Sequence, residues 1–339
     1  MHMADALLSP AVAGTMYALS GAVAFYAAKR IRKEEREEII PKMGVLGAFV
    51  FAAQMINFAI PGTGSSGHLC GGMLLSAVVG PYAGFLTMIS ILALQCLLFG
   101  DGGLLALGAN IWNMAFYGCF LGGGLLWPFF TRRGLSKKAI VMASLAGSVL
   151  TLQLGAFSVS AETFLSGITE LPFTAFLLLM QPIHLAIGLA EGLITSAVLG
   201  FVYENRPELL WQPAGSGTAA QAGSWSRNRL LGVLAALALI IGGGLSLLAS
   251  GDPDGLEWSV QRLTGSTELE GPGEGIYGLA ARFQESTALL SEYQVPGLDE
   301  ELGTAVAGVV GTMLIMGIVW ILGRTLRKRE NHEASGRCH

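Results

Sequence analysis

Residues 174–203 read TAFLLLMQPIHLAIGLAEGLITSAVLGFVY, an apolar stretch interrupted only by His184, Glu191 and a few neutral polar residues. A helix needs about 20 apolar residues to cross roughly 30 Å of hydrocarbon, so this stretch is long enough to span a membrane. Comparable runs occur at about 7–28, 43–60, 82–99, 104–130, 138–159, 229–249 and 304–323. The stretch 69–80 (LCGGMLLSAVVG) is apolar but short, and Pro81 separates it from the next run. It is expected to form a short or half-buried helix, which brings the expected count to nine. Composition agrees with a membrane location. The 339 residues are 52% hydrophobic and 13% charged, whereas soluble domains carry about a quarter charged. Mean hydropathy is +0.57, and the 47 glycines suit transmembrane helices. A cytosolic enzyme is excluded.

Charge sets the expected direction of each span. Lys29, Arg30, Arg32, Lys33 and Arg36 follow the first run, so that loop is expected in the cytoplasm and the N-terminus outside. With nine spans the other cytoplasmic segments fall at 131–138 (Arg132, Arg133, Lys137, Lys138), at 204–228 and at the C-terminus (Arg324, Arg327, Lys328, Arg329), all basic. Residues 250–303 then lie outside, with eleven Asp/Glu against Arg262 and Arg282. Eight spans would put the basic 131–138 loop outside. Residues 204–228 are rich in Pro, Gly, Ser and Ala and read as a cytoplasmic linker. The expected fold class is therefore an all-α polytopic membrane protein in the cytoplasmic membrane. A seven-helix bundle (1–203) is followed by the linker (204–228) and a two-helix module (229–339) with an acidic external loop (250–303). No signal peptide is expected, because His2 and Asp5 stand where a basic region would be. A net charge of −4 gives no reason to expect a nucleic-acid partner. Cys70, Cys96, Cys119 and Cys338 form no C-x-x-C pair, so neither a zinc knuckle nor a disulfide framework is indicated.

Chemistry concentrates in three places. The chain opens Met1-His2-Met3-Ala4-Asp5-Ala6-Leu7-Leu8-Ser9-Pro10. The amine of Met1, the backbone nitrogen of His2 and its imidazole can close two fused chelate rings on one metal. Three nitrogens in a plane suit square-planar Ni(II) or Cu(II); read alone, His2 reads first as an ordinary terminal residue. The second place is the external loop Pro61–Gly72, PGTGSSGHLCGG, whose glycines allow close backbone approach and whose imidazole is His68. Gly62 to Gly67 space like a phosphate-binding loop, but His68 stands where lysine is required, so no ATP site is expected. Cys70 reads as a small apolar residue at a helix start. The third place is His184 and Glu191, seven residues apart on one helix face. Ionisable residues inside a span are functional candidates, and structural pairing with a neighbouring polar group is the competing reading. Gln54/Asn57 and Asn110/Asn113 are i, i+3 pairs that read first as helix–helix hydrogen bonds, with a place on a metal pathway as the alternative. The G-x-x-x-G spacings at Gly80/Gly84, Gly118/Gly122 and Gly188/Gly192 read as close-packing faces.

Four blocks carry a family resemblance: M-H-x-x-D-x-x-L-S-P at the start, FVFAAQMINFAIPG…SGHLCGG, LLFGDGGLLALGANIWNM and ELPFTAFLLLMQPIHLAIGLAEGLIT. Over roughly residues 1–203 they resemble the M component of nickel/cobalt energy-coupling-factor transporters. The tail resembles the N component of the same systems through Asp252-Pro253-Asp254-Gly255-Leu256-Glu257 and its two-span layout. The resemblance implies a substrate-capture subunit that takes the metal from outside, without an ATPase of its own. Its implied partners are membrane lipid, a transmembrane coupling component and cytoplasmic ATPases. It also implies a square-planar metal site of the terminal amine, the backbone nitrogen and imidazole of the second residue, and a loop histidine. These land on Met1, His2 and His68. No ligand role is implied for His184. The opening resembles nickel-type members, although Ala6 and Leu7 stand where Gly-Phe is usual. Ni(II) is the expected cargo, Co(II) the alternative, and no organic cofactor is expected. Two rival readings are an intramembrane hydrolase using Ser65 or Ser66 with His68 or His184, and an assembly partner with no substrate site.

Overall fold

The computed structural model describes residues 1–31, 33–213, 224–269 and 271–335, with side chains for all of these except 33–38 and 322–335. The side chains of Arg32, Lys33, Arg36, Arg324, Arg327, Lys328 and Arg329, the middle of the expected linker (214–223) and Cys338 lie outside the described residues.

Helix α1 (Pro10–Arg30) starts with proline at its first position, where a missing N–H costs nothing. It is followed by α2 (Lys33–Gln54), α3 (Gly72–Val79), α4 (Pro81–Phe99) and α5 (Leu107–Thr131). Then come α6 (Lys137–Ser166), capped by the Ser136 hydroxyl on the Ala139 N–H, and α7 (Phe173–Asn205). The C-terminal part contributes α8 (Arg227–Gly243), α9 (Gly255–Thr264), α10 (Gly275–Thr287) and α11 (Glu300–Ser335).

Among the described residues six helices are long and apolar enough to cross a membrane: α1, α4, α5, α6, α7 and residues 300–321 of α11. The core is largely apolar, as in a soluble bundle, but it also holds polar side chains, and the surface is rich in large apolar ones. Ser144, Ser148, Ser160 and Glu162 are buried, while Phe25, Leu178, Leu193 and Met313 are exposed. That arrangement suits lipid outside and polar partners inside.

Two expectations change, those for 43–60 and 250–303, while the short helix expected within 69–80 is present. The run 43–60 is not one span: its helix stops at Gln54, and Phe58–Ile60 forms strand β1 paired antiparallel with β2, Ser65–Gly67. Pro61 and Gly62, the latter with positive φ, turn the chain between the two strands. Asn57 therefore lies beyond the helix, and Gln54/Asn57 is no helical i, i+3 pair. The segment 69–80 yields a fully buried helix of eight residues, about 12 Å long. It cannot span alone. The irregular chain before it, residues 68–71, is buried within the protein. Finally, the acidic segment 250–303 is not an open loop. It holds α9 and α10, and its residues 252–254 lie along the edge of β2. The Ser66 N–H donates to Pro253 O (2.8 Å) and the Ser66 hydroxyl to Asp252 O (2.8 Å).

Glycines set the closest approaches. A Cβ on Gly188 would sit 2.9 Å from Val149 Cα, and one on Gly192 would sit 2.8 Å from Leu145 Cα, so α6 and α7 pack backbone to backbone. Gly118 meets Gly72 in the same way at 3.0 Å. Gly80 (φ 82°) turns α3 into α4, and Trp211 packs on it at one end of the bundle, where Trp127 Nε1 donates to Trp211 O. Met1, Gln54, Gln95 and Asp254 meet at the opposite end.

Candidate metal centre

The first residues are held down by α5. Asn110 accepts the Met3 N–H (2.7 Å) and donates to Met3 O (3.2 Å). Gly103 N–H donates to Met3 O, and Asp5 accepts the Ala106 N–H at 3.0 Å. These bonds turn the terminus into the bundle, and Met1 is only 4% exposed. Its amine lies 3.2 Å from His68 Nε2 and 2.5 Å from Asp254 Oδ2. The His2 ring stacks on that of His68, centroids 5.3 Å apart at 23°. His2 Nδ1 is 3.1 Å from Asp101 Oδ1, and its Nε2 is 3.3 Å from Gln95 Oε1. The three residues implied by resemblance thus meet at one point.

His68 reaches this point because the chain from β2 to α3 is fixed from below. The Cys70 and Gly71 N–H groups donate to the Glu191 carboxyl at 2.8 and 3.1 Å, and Gln54 Nε2 donates to Cys70 O at 2.9 Å. Glu191 therefore satisfies orphan donors at the N-terminus of α3. It does not pair with His184, whose Nδ1 bonds Met180 O instead (2.8 Å). Of the asparagines, Asn110 holds the terminus, and Asn113 donates to Glu162 of α6 (2.7 Å), a helix–helix bond of the expected kind. Asn57 accepts the Ser250 N–H through its carbonyl and lines a cavity of about 680 Å³ beside the site.

Asp254 and Asp101 fall within family-like blocks of the sequence, but nothing there gives them, Gln95 or Tyr293 a place at the site. Asp254 Oδ1 caps α9 by accepting the Leu256 and Glu257 N–H groups, which leaves Oδ2 for the Met1 amine. The D-x-x-E spacing from Asp254 to Glu257 is a legible capping box; its second role is not legible. Tyr293 donates to Asp101 Oδ2 (2.6 Å), so the C-terminal module also braces the carboxylate that holds His2. Both carboxylates act on the electrostatics. Burial works against the Met1 ammonium, but Asp254 outweighs it and holds the amine above its ordinary value. Burial opposes the Asp254 charge too, yet the ammonium and hydrogen bonds keep its carboxyl well below the usual range. Burial lowers both His2 and His68, so both rings are neutral and able to ligate at neutral pH. His2 Nδ1 is the ring nitrogen that can close a six-membered chelate with its own backbone nitrogen, and Asp101 occupies it here.

Fold and site define a multi-pass membrane protein with a buried amine–imidazole cluster at one end. The chain belongs to the family described as cobalt uptake substrate-specific transmembrane region, which matches residues 2–209. Residues 228–328 match the PDGLE domain, and the sequence reads Pro253-Asp254-Gly255-Leu256-Glu257 at the helix cap just described. The chain is 32% identical to a putative fused nickel transport protein NikMN of Archaeoglobus fulgidus over 328 residues, 96% of this chain and 99% of that one. It is 30% identical to a probable fused nickel transport protein LarMN of Lactiplantibacillus plantarum, over 94% of this chain and 96% of the relative. A cobalt transport protein CbiM of Sorangium cellulosum is 30% identical over 62% of this chain and 94% of its own. Among solved structures, a truncated transition metal transporter superposes with a TM-score of 0.51 at 31% identity, covering 60% of this chain and 99% of that chain.

Proposed function

We propose that this chain is the substrate-capture subunit of an ATP-driven energy-coupling-factor transporter, taking Ni(II) from outside. The observation that carries the reading is the convergence of the Met1 amine, the His2 ring and His68 Nε2 on one buried point. A planar set of amine, deprotonated amide and two imidazoles favours low-spin d⁸ nickel over cobalt, and full-length relatives named as nickel transport proteins support the same choice. Co(II) is the second reading, supported by the relative named for cobalt. Energy comes from separate cytoplasmic ATPases through a transmembrane coupling component, with the chain itself in nine crossings, N-terminus outside and C-terminus inside. Residues 1–203 form the capture module, 204–228 the linker and 229–339 the module that covers the site. The hydrolase reading has no support here: the Ser65 and Ser66 hydroxyls bond the carbonyls of Ser66 and Asp252.

Ni(II) binding by protein with its native Met1, beside a form carrying a few extra residues ahead of it, tests the reading. The native form should bind one equivalent with a square-planar absorption spectrum, and the extended form should lose that spectrum. Equal binding by both would remove the amine from the ligand set. His2→Ala and His68→Ala should each weaken binding at least about 100-fold by removing a first ligand; if both are silent, the chain has no such site.

A further inference from the structure

Between the terminal cluster and α7 lies a second void of about 10 Å³, room for one water-sized particle. Met1, His68, Cys70, His184, Asp254 and Gly255 are among the residues that line it. His184, on α7, is 1% exposed. Its Nδ1 lies 2.8 Å from the carbonyl oxygen of Met180. A carbonyl only accepts, so Nδ1 carries the hydrogen and Nε2 keeps a bare lone pair. That Nε2 is buried and has no hydrogen-bond partner among the described residues. The adjoining Cε1 edge faces Gly255, where an added Cβ would sit 3.1 Å from it. His68 is arranged alike, with Nδ1 3.1 Å from Leu69 O and Nε2 turned to the Met1 amine. A backbone carbonyl on one ring nitrogen with the other left bare is how metal-ligating imidazoles are oriented.

We propose that His184 Nε2 is an inner ligand for the transported divalent cation, in a position shared with His68 that the ion enters after leaving the terminal amine and His2. The inference rests on the capture reading above, and its ligand class is a late first-row divalent ion suited to imidazole. Among the described residues no three His, Cys, Asp or Glu side chains stand together as a ready-made metal site. The inner position is accordingly a weak stop and not a store, as passage requires.

Purified full-length chain is titrated with Ni(II) and Co(II) in four forms: native, His184→Gln, extended ahead of Met1, and extended with His184→Gln. His184→Gln should leave the native square-planar Ni(II) spectrum and affinity unchanged. The extended chain should retain binding at least about 100-fold weaker than native, with histidine scattering in its X-ray absorption, and His184→Gln should abolish it. Gly255→Ala, whose methyl group would stand 3.1 Å from the His184 ring and crowd the void from the other side, should abolish the residual binding too and decides the matter should the glutamine variant not fold. Residual binding that survives these substitutions overturns the proposal, and the void then holds only water. An extension that weakens nothing overturns the terminal-chelate reading instead; His184→Gln then still decides this proposal, which fails if that substitution is silent.

Discussion

Asp254 puts its two oxygens to different uses, one capping a helix and one holding the Met1 ammonium. The amine is raised, so its share of stability is present below its ordinary value of 8.0 and fades as pH climbs through the higher folded value. The carboxyl is lowered, so its share is present above 3.8 and fades as pH falls through the lower folded value. Thermal stability of the metal-free protein should therefore be highest between those limits, and Asp254→Asn, which keeps a capping oxygen, should flatten the profile. With the amine as the proposed ligand, metal displaces its proton, so Ni(II) binding should weaken in acid. Without Asp254 the main opposition to burial is gone, only Cys70 and Asp101 still favour the ammonium, and the amine's value falls. The acid limb of Ni(II) binding should then move to lower pH in Asp254→Asn, followed by absorption against pH. A limb that stays in place would mean another group holds that proton.

At the scale of elements, α3 and the chain before it decide where His68 stands. Glu191 accepts the Cys70 and Gly71 N–H groups beneath it, a pair of donors that hydrocarbon cannot satisfy. Glu191→Gln replaces one acceptor oxygen with an NH₂ facing an N–H. Unfolding in detergent should show a loss of about 1–3 kcal/mol, the cost of stranding a buried donor. Ni(II) affinity should fall with it, because the His68 loop loses its footing. An intact affinity would show that β2 and residues 252–254 suffice to hold the loop. Gly71, with φ 80° and an absent Cβ that would lie 2.4 Å from Val50 Cγ1, is fixed by the same constraint.

For the whole molecule, the C-terminal module reaches the amine–imidazole cluster twice, through Asp254 and through Tyr293 on Asp101. Between the modules lies the cavity of about 680 Å³, lined by Asp5, Asp101, Glu257, Glu268 and Glu292 among others. A cavity lined by one sign of charge raises local counter-ion concentration and association rates. Changing Glu257, Glu268 and Glu292 to glutamine should slow Ni(II) association about 10-fold at low ionic strength and little at high salt, by stopped-flow absorption. If association, uptake and assembly with partner subunits all stay unchanged, the acidic segment neither gathers cations nor couples the modules. The sequence by itself determined the membrane class, most spans and the candidate donors Met1, His2 and His68, because hydrophobic run length and residue chemistry are local properties. It did not reveal that the run at 43–60 breaks at Gln54, that residues 250–303 are largely helical, or that Asp101 and Asp254 face the donors. Those depend on which surfaces meet. An acidic residue reads as solvated until the fold buries it beside an ammonium, and a short apolar segment reads as a weak span until neighbouring helices and Glu191 supply the partners its backbone lacks.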